Sequence, residues 1–282
     1  MTDISSIDWN EVWKHPEPGR PGSGEFVPCI ERWSEAERCR KFDRMAKADN
    51  WQGSWKRIHA MQVSAASRVL DVGAGPGTLA VPLSGIVHQV TAVEPAPGMV
   101  ECLYGNIRES SISNITVIEK KWEDVDLAKD LACPYDVVVA SYSLGVPDLK
   151  EALQKMDTAS SRFVYIFWFA DMQSPWRRNY GSIWEQLFGV PDREIRRPNI
   201  IFNLLNQMGI YANVEVTREE HVTRFTSFEE AVSDQAAGLK LTTDAQRAIL
   251  ASFLKTRLHH EDGMYVLRGK TSRAKIWWEK ER

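Results

Sequence analysis

Short apolar runs alternate with longer amphipathic segments from Arg68 onward. Continuous apolar runs of this length, bounded by turn residues, are typical of strands that are buried on both faces of a parallel sheet. Five of them follow one another, at 68–72, 89–94, the start of 115–124, 135–141 and 162–168. Strands and helices alternate at the spacing that a parallel sheet requires. The pattern therefore predicts a doubly wound α/β fold with a mostly parallel sheet.

The first apolar run leads into a glycine-rich turn. Residues 71–77 read DVGAGPG, and a helix is predicted to begin at Thr78. Glycines at such a turn allow the backbone to approach a ligand closely. A dinucleotide site of the G-x-G-x-x-G type would have its third glycine at position 78, where this chain has threonine. The turn therefore predicts a nucleoside-cofactor site that fits NAD poorly.

At this turn the chain resembles the Rossmann-like (class I) S-adenosylmethionine-dependent methyltransferases. Asp71, Gly73, Gly75 and Gly77 match without a gap the first motif of that family, D/E-x-G-x-G-x-G. The resemblance covers residues 66–168 well and implies an enzyme that binds S-adenosyl-L-methionine here. The cofactor carries an ammonium and a carboxylate and has no phosphate, so an acidic residue near the turn is useful. Asp71 is that expected residue.

The second run ends in a carboxylate, Glu94, just over twenty residues downstream. A carboxylate can accept two hydrogen bonds in one plane, which suits the cis-diol of a ribose. We therefore expect Glu94 to bind both ribose hydroxyls. Pro97 is placed to begin the next helix, where its missing N–H does little harm. Met99 follows, and its side chain is expected to pack either near the adenine or in the protein core.

The third run and its loop depart from the family pattern. The family commonly has G-D-A-E here, with the aspartate reading the adenine amino group, whereas this chain has Lys121 at that place. A lysine only donates hydrogen bonds and cannot accept one from an amino group. We expect Glu123 or the backbone of Trp122 to contact the adenine instead. For the Trp122 ring, stacking on the purine and core packing remain open.

The loop after the fourth run is expected to border the methyl group, because ligands of such sheets lie outside the carboxyl ends of the strands. Ser141, at the end of this run, is assigned to the cofactor site. Tyr142 is the best polar candidate to contact the acceptor and the candidate catalytic residue, with an aromatic lid over the cofactor as the alternative. The histidine that many small-molecule members carry in this loop is absent. Glu123 and His59 are further candidates for a base, which stays unassigned.

The flanking regions suggest the rest of the architecture. The resemblance implies two further strands in an antiparallel hairpin, at 210–217 and 274–278, and hence a seven-stranded sheet. Residues 1–65 are predicted to form a helical cap, and 66–282 the methyltransferase domain. Residues 171–208 are predicted as an insertion that forms part of the acceptor pocket. Aromatic residues after the fifth strand suit an apolar or cationic acceptor; they are Trp168, Trp176, Tyr180, Trp184 and Phe188.

Composition narrows the function further. The 282 residues are 43% hydrophobic and 26% charged, with a net charge of −3, which predicts a soluble globular protein. The absence of a long basic run argues against a nucleic-acid partner, and the longest apolar run is too short for a bilayer. Neither the six histidines nor the four cysteines show a metal-binding spacing. The polar N-terminus has no signal-peptide core, so a cytoplasmic location is expected.

These observations predict a methyltransferase that transfers a methyl group to a small-molecule acceptor by in-line displacement. A protein methyltransferase, or a regulatory homologue that binds the cofactor and acts through a partner, is the alternative. The methylated atom (oxygen, nitrogen, carbon or sulfur) and the oligomeric state stay open.

Overall fold

The computed structural model describes residues 7–14, 33, 35–48, 50–170, 179–189 and 200–280. Eight strands within these residues form one sheet: β1 (Arg68–Val72), β2 (Gln89–Val93), β3 (Ile115–Ile118), β4 (Tyr135–Ser141), β5 (Ser160–Phe169), β6 (Asn213–Phe225), β7 (Leu258–Glu261) and β8 (Met264–Glu279). Their order is β3-β2-β1-β4-β5-β8-β6, with β7 paired to β8. The first five strands are parallel, whereas β8 is antiparallel to β5 and β6. The predicted doubly wound, mostly parallel fold is confirmed, with β7 as an additional strand.

Ten α-helices lie in the same described residues: α1 (Trp9–Lys14), α2 (Ala36–Ala48), α3 (Gln52–His59), α4 (Ala80–Ser84), α5 (Pro97–Glu109), α6 (Leu149–Ala159), α7 (Trp184–Phe188), α8 (Ile200–Gln207), α9 (Phe228–Leu239) and α10 (Asp244–Arg257). Side-chain caps fix the beginning of several of them. Asp148 accepts from the first turn of α6, and Thr243 forms a capping box with Gln246 at the start of α10. None of these helices is long and apolar enough to cross a membrane.

The central strands are buried on both faces, which explains their continuous apolar sequence. Successive side chains of a strand point to opposite faces. Val69 and Val137 therefore lie in one core, which α3, α4 and α5 cover. Leu70 and Val138 lie in the other core, which α1, α6 and α8 cover. The sheet is thus a middle layer between two layers of helices, and the carboxyl ends of its parallel strands stay free to form a site.

The predicted antiparallel pair exists as β6 and β8, but it is longer than predicted and is not a hairpin. The helices α9 and α10 and the strand β7 lie between the two strands in the chain. The strand β8 pairs with β5 as far as Phe169 and Arg273. Beyond that point β6 and β8 continue together for eight pairs, from Arg218–Ser272 to Phe225–Tyr265. This two-stranded ribbon extends past the carboxyl end of β5.

The ribbon is followed by a second, smaller core formed by α7, α9 and α10. Its buried side chains include Tyr180 and Trp184, each 1% exposed. Sequence reasoning placed these two residues in an aromatic acceptor pocket, and that expectation is wrong because both rings pack against α9 and α10. Trp176 and parts of the predicted insertion, 171–178 and 190–199, lie outside the described residues.

The described parts of residues 1–65 include the three helices α1, α2 and α3. Trp9 and Trp13 lie four residues apart on α1. Trp51 does not share a helix face with Trp55, because Trp51 precedes α3 and has a left-handed backbone with a φ of 61°. The Nζ atom of Lys41 on α2 lies 3.8 Å from Oδ1 of Asp234 on α9. Helix α2 therefore approaches the small core formed by α7, α9 and α10.

Candidate functional site

The candidate site lies where the strand order reverses, between β1 and β4. The loops that follow these two strands touch each other there. A Cβ atom at Gly73 would lie 2.3 Å from the Cβ of Ser143, and Gly73 has a φ of 72°. The Ser143 hydroxyl donates a hydrogen bond to the carbonyl of Val72. Glycine is therefore required at position 73, and the two loops form a continuous floor at the point where ligands of this sheet type bind.

The other two glycines of the turn have different roles. Gly77 has a φ of 91°, and a Cβ there would lie 2.7 Å from the side chains of Leu103 and Val81. Gly77 therefore allows the turn to pack closely on α5. Gly75 has a φ of 59°, and a Cβ there would have no atom within 4 Å. The space beside Gly75 is open, so a ligand can approach the backbone at this position.

Glu94 joins the glycine turn to the start of α5. Its Oε2 accepts from the N–H of Gly75 and its Oε1 from the N–H of Ala96, both at 2.8 Å. The side chain is 6% exposed, and burial raises the pKa of its carboxyl while the two N–H groups oppose that change. Each oxygen keeps a second lone pair that can accept from a hydroxyl. The geometry fits the predicted ribose contact, which stays a prediction.

Asp71 is the buried acid of the turn. It is 2% exposed, and its Oδ2 has no hydrogen-bond partner among the described residues. Burial raises the pKa of this carboxyl to about 7, Arg57 opposes the rise and Glu94 adds to it. An ammonium beside Oδ2 would satisfy the unpaired oxygen and favour the ionised form. This unpaired carboxylate acceptor therefore fits the ammonium at the methionine end of S-adenosylmethionine.

Two predicted adenine contacts are packed against protein atoms. The Trp122 indole is 4% exposed, and its N–H donates to the carbonyl of Ala152 at 3.2 Å. Met99 is 3% exposed and packs against Cys39 and Ala96. Glu123 is exposed on a short 3₁₀ turn after β3. The roles of Trp122, Met99 and Glu123 toward adenine stay predictions.

The structure brings together a cluster that sequence reasoning missed. Arg57 on α3 donates from Nη1 to the hydroxyl of Ser141 at 2.9 Å and from Nη2 to that of Ser54 at 3.2 Å. Arg273 on β8 donates from Nη1 to the Tyr142 hydroxyl at 3.2 Å. The Cζ atoms of Arg57 and Arg273 lie 5.8 and 5.3 Å from the centre of the Tyr142 ring. We call Arg57, Tyr142 and Arg273 the arginine–tyrosine cluster.

Tyr142 is held in an uncommon backbone conformation. Its φ is 58°, a left-handed value that bulky residues rarely adopt and that is concentrated at functional sites. Its N–H donates to the carbonyl of Phe167 at 2.9 Å, and its ring lies 5.0 Å from that of Phe169. The neighbouring strand β5 thus fixes the Tyr142 ring at the edge of the sheet. His59, the other aromatic candidate for a base, is exposed and stacks on Trp55.

No group of three or more His, Cys, Asp or Glu side chains in the described part of the chain is arranged to hold a metal ion.

Comparisons with known proteins identify a methyltransferase domain in this part of the chain. Residues 69–160 match the family model described as a methyltransferase domain. The chain is 34% identical to protein-L-isoaspartate O-methyltransferase 1 of Geotalea uraniireducens over 105 residues. This aligned part covers 37% of this chain and 46% of that protein. The chain is 28% identical over 229 residues to an uncharacterized protein of Haemophilus influenzae, covering 80% and 81% of the two chains.

Solved structures share the fold. The YcgJ protein from Bacillus subtilis is 14% identical, with a TM-score of 0.53, over 81% of this chain and 98% of that one. A putative methyltransferase from Bacillus halodurans is 15% identical, with the same TM-score, over 81% and 99%. The fold and the site define a Rossmann-like enzyme with a methyltransferase domain. The methyltransferase domain at residues 69–160 resembles those of S-adenosylmethionine-dependent methyltransferases, and this match implies the use of S-adenosylmethionine.

Proposed function

We propose that this enzyme methylates a small-molecule acceptor by in-line displacement at the methyl carbon of S-adenosylmethionine, with the thioether sulfur as the leaving group. The cofactor supplies an activated methyl group when it is bound. The protein contributes orientation and the exclusion of water, and orientation alone can supply several kcal/mol of barrier reduction. The observation that carries the proposal is the set of contacts that cover the carboxyl edge of the sheet.

The proposed cofactor residues are those at the turns after β1 and β2. Asp71 would hold the ammonium with its unpaired Oδ2, and Glu94 would hold the ribose with the free lone pairs of its carboxylate. The open side of Gly75 leaves room for the cofactor against the backbone. Ser141, which Arg57 binds, stands at the end of β4 on the same edge.

Contacts from both ends of the chain support a covered acceptor site. The indole N–H of Trp13 on α1 donates to the carbonyl of Val146, in the loop after β4, at 2.7 Å. Arg57 on α3 binds the end of β4 itself. The ribbon of β6 and β8 extends beyond the same edge. The small core of α7, α9 and α10 approaches α2 through the ion pair between Lys41 and Asp234. A site bounded in this way suits a small molecule better than a side chain of a folded protein, which needs an open groove.

A protein carboxyl methyltransferase is the alternative that one observation favours. The name of the Geotalea relative, protein-L-isoaspartate O-methyltransferase 1, assigns it an isoaspartyl protein as acceptor, and the two chains are 34% identical where they align. The aligned part covers less than half of that relative, so the acceptor side of this chain is a separate question. An isoaspartyl peptide is therefore included in the test below.

The test begins with calorimetric titration of the purified protein with S-adenosylmethionine, S-adenosylhomocysteine and NADH. We expect saturable binding of the first two alone. Release of S-adenosylhomocysteine is then measured with a pool of small metabolites and, in parallel, with isoaspartyl and unmodified peptides. Turnover with the metabolite pool alone supports the proposal. Turnover with peptides alone would replace it by the protein methyltransferase, and absence of cofactor binding would overturn both.

A further inference from the structure

We propose that the acceptor is a small carboxylate with an apolar, preferably aromatic, body, and that Arg273 is the residue that binds its carboxylate. This inference rests on the proposed function, because it names the class of molecule that the same site accepts. It depends on where the arginine–tyrosine cluster lies, on its charge, and on the aromatic surface beside it.

The position of Arg273 follows from the register of the sheet. Arg273 pairs with Phe169, the last residue of β5, so it lies at the carboxyl edge although β8 runs in the opposite direction. Tyr142 follows β4 directly, next to the loop that contacts Gly73. The bond from Arg273 to the Tyr142 hydroxyl therefore joins the far part of the sheet to the switch point. An acceptor beside Tyr142 would be within reach of this guanidinium.

The charge of the cluster is suited to an anion. Two guanidiniums face one phenol ring, and burial lowers the pKa of Arg57, with Arg273 lowering it further. The carboxylates near them are Asp71, on the cofactor side, and Glu219, whose Oε2 lies 2.9 Å from Nε of Arg273. An ammonium beside Asp71 would neutralise that acid. Among these protein side chains, the guanidiniums of Arg57 and Arg273 would then have Glu219 as their one carboxylate that is not neutralised.

Arg273 has donors left for a ligand. Its Nε faces Glu219 and one Nη1 hydrogen goes to Tyr142, whereas Nη2 makes no hydrogen bond to any described residue. The Arg273 side chain is 38% exposed, although its Nε is buried. Guanidinium donors in a planar fork match the two oxygens of a carboxylate. Arg57 is more deeply buried and holds Ser141, so we regard it as a positioning residue.

An aromatic surface adjoins the free donors. The Tyr142 ring lies 5.0 Å from Phe169, and Phe169 lies 5.9 Å from Trp168, which in turn lies 6.3 Å from Trp13. Phe169 is 37% exposed, so its ring is accessible to a ligand. The rings of Tyr142 and Phe169 beside the Arg273 guanidinium favour a ligand with an apolar body and a carboxylate, whereas Trp168 and Trp13 pack against the core on the opposite face of the sheet. This arrangement disfavours the cationic acceptor that the tryptophans alone suggested.

The test measures binding to the protein saturated with S-adenosylhomocysteine. The probes are benzoate, phenylacetate and indole-3-acetate, each compared with its primary amide by saturation-transfer NMR and calorimetry. We expect the acids to bind at least tenfold more tightly than the amides. Arg273→Gln should remove this preference, whereas Arg268→Gln, an exposed residue of the same strand paired with Glu261, should keep it. Glu219→Gln should tighten acid binding several-fold, because it removes the competing carboxylate.

The outcomes separate this inference from the proposed function. Equal binding of acids and amides, no binding of any acid, or the same loss in the Arg268 variant would overturn the inference while cofactor binding stands. Failure of S-adenosylhomocysteine to bind the unmodified protein would overturn the proposed function instead. Thermal unfolding of each variant checks its fold. If the Arg273 variant does not fold, the acid–amide comparison in the unmodified protein decides whether the site prefers a carboxylate.

Discussion

Replacing Asp71 by asparagine should stabilise the cofactor-free protein and weaken cofactor binding at the same time. The carboxyl is 2% exposed, with one unpaired oxygen, and burial raises its pKa to about 7 from an ordinary value of 3.8. At about 1.4 kcal/mol per pKa unit, this difference corresponds to about 4 kcal/mol of destabilisation once the group is ionised. Relaxation of its surroundings reduces the figure, so we expect Asp71→Asn to raise the free energy of unfolding by about 1–3 kcal/mol at pH 8.

The sign of the pH dependence follows from linkage. Between pH 4 and pH 7 the folded protein keeps the Asp71 proton, whereas the unfolded chain has released it. This group therefore makes the protein less stable as the pH rises through that window, and it adds no further change above it. The stability gap between the variant and the unmodified protein should be largest at pH 8 and should narrow toward pH 4.

Two measurements check this prediction. Urea unfolding at pH 5 and pH 8 without cofactor gives the stability gap, and calorimetry gives the affinity for S-adenosylmethionine, which should fall by about 1–3 kcal/mol through loss of the charged contact. Asp262→Asn is the matched control, since Asp262 is exposed in the turn between β7 and β8 and should change both values by less than about 0.5 kcal/mol. A stability gap that is absent at pH 8, together with unchanged affinity, would refute the assignment of Asp71.

The remaining predictions concern the two turns. Glu94→Ala should weaken S-adenosylmethionine binding by about 1–3 kcal/mol in calorimetry, because a buried charged acceptor is lost, whereas Glu101→Ala, on the exposed side of α5, should leave it unchanged. Gly73→Ala should lower the free energy of urea unfolding by about 1–3 kcal/mol, because its Cβ would lie 2.3 Å from that of Ser143. Gly105→Ala, in α5 with no atom near its added Cβ, should instead raise that free energy by about 0.5–1 kcal/mol, and an equal loss in both glycine variants would contradict the packing argument.

The parallel part of the sheet was predictable because both faces of its strands are buried. The strands β1 and β4 have the predicted bounds, and β2 ends one residue earlier than predicted. The strand β6 was predicted only as far as 217, although it continues to Phe225. Its second half, residues 218–225, pairs with β8 in the ribbon beyond β5 and reads REEHVTRF, which is mostly charged and polar. Such a segment lacks the apolar pattern from which strands are recognised.

The sequence alone determined the fold class and the proposed cofactor residues Asp71, Gly75 and Glu94, because turn chemistry and strand burial are encoded within short segments. Only the tertiary structure decided that Arg57 and Arg273 meet at Tyr142. One of these arginines comes from a helix before the sheet and the other from the last strand. They meet because β8 enters antiparallel beside β5 in a register that pairs Arg273 with Phe169. Register between distant strands depends on which faces are buried in the whole molecule, and neither segment carries that information by itself.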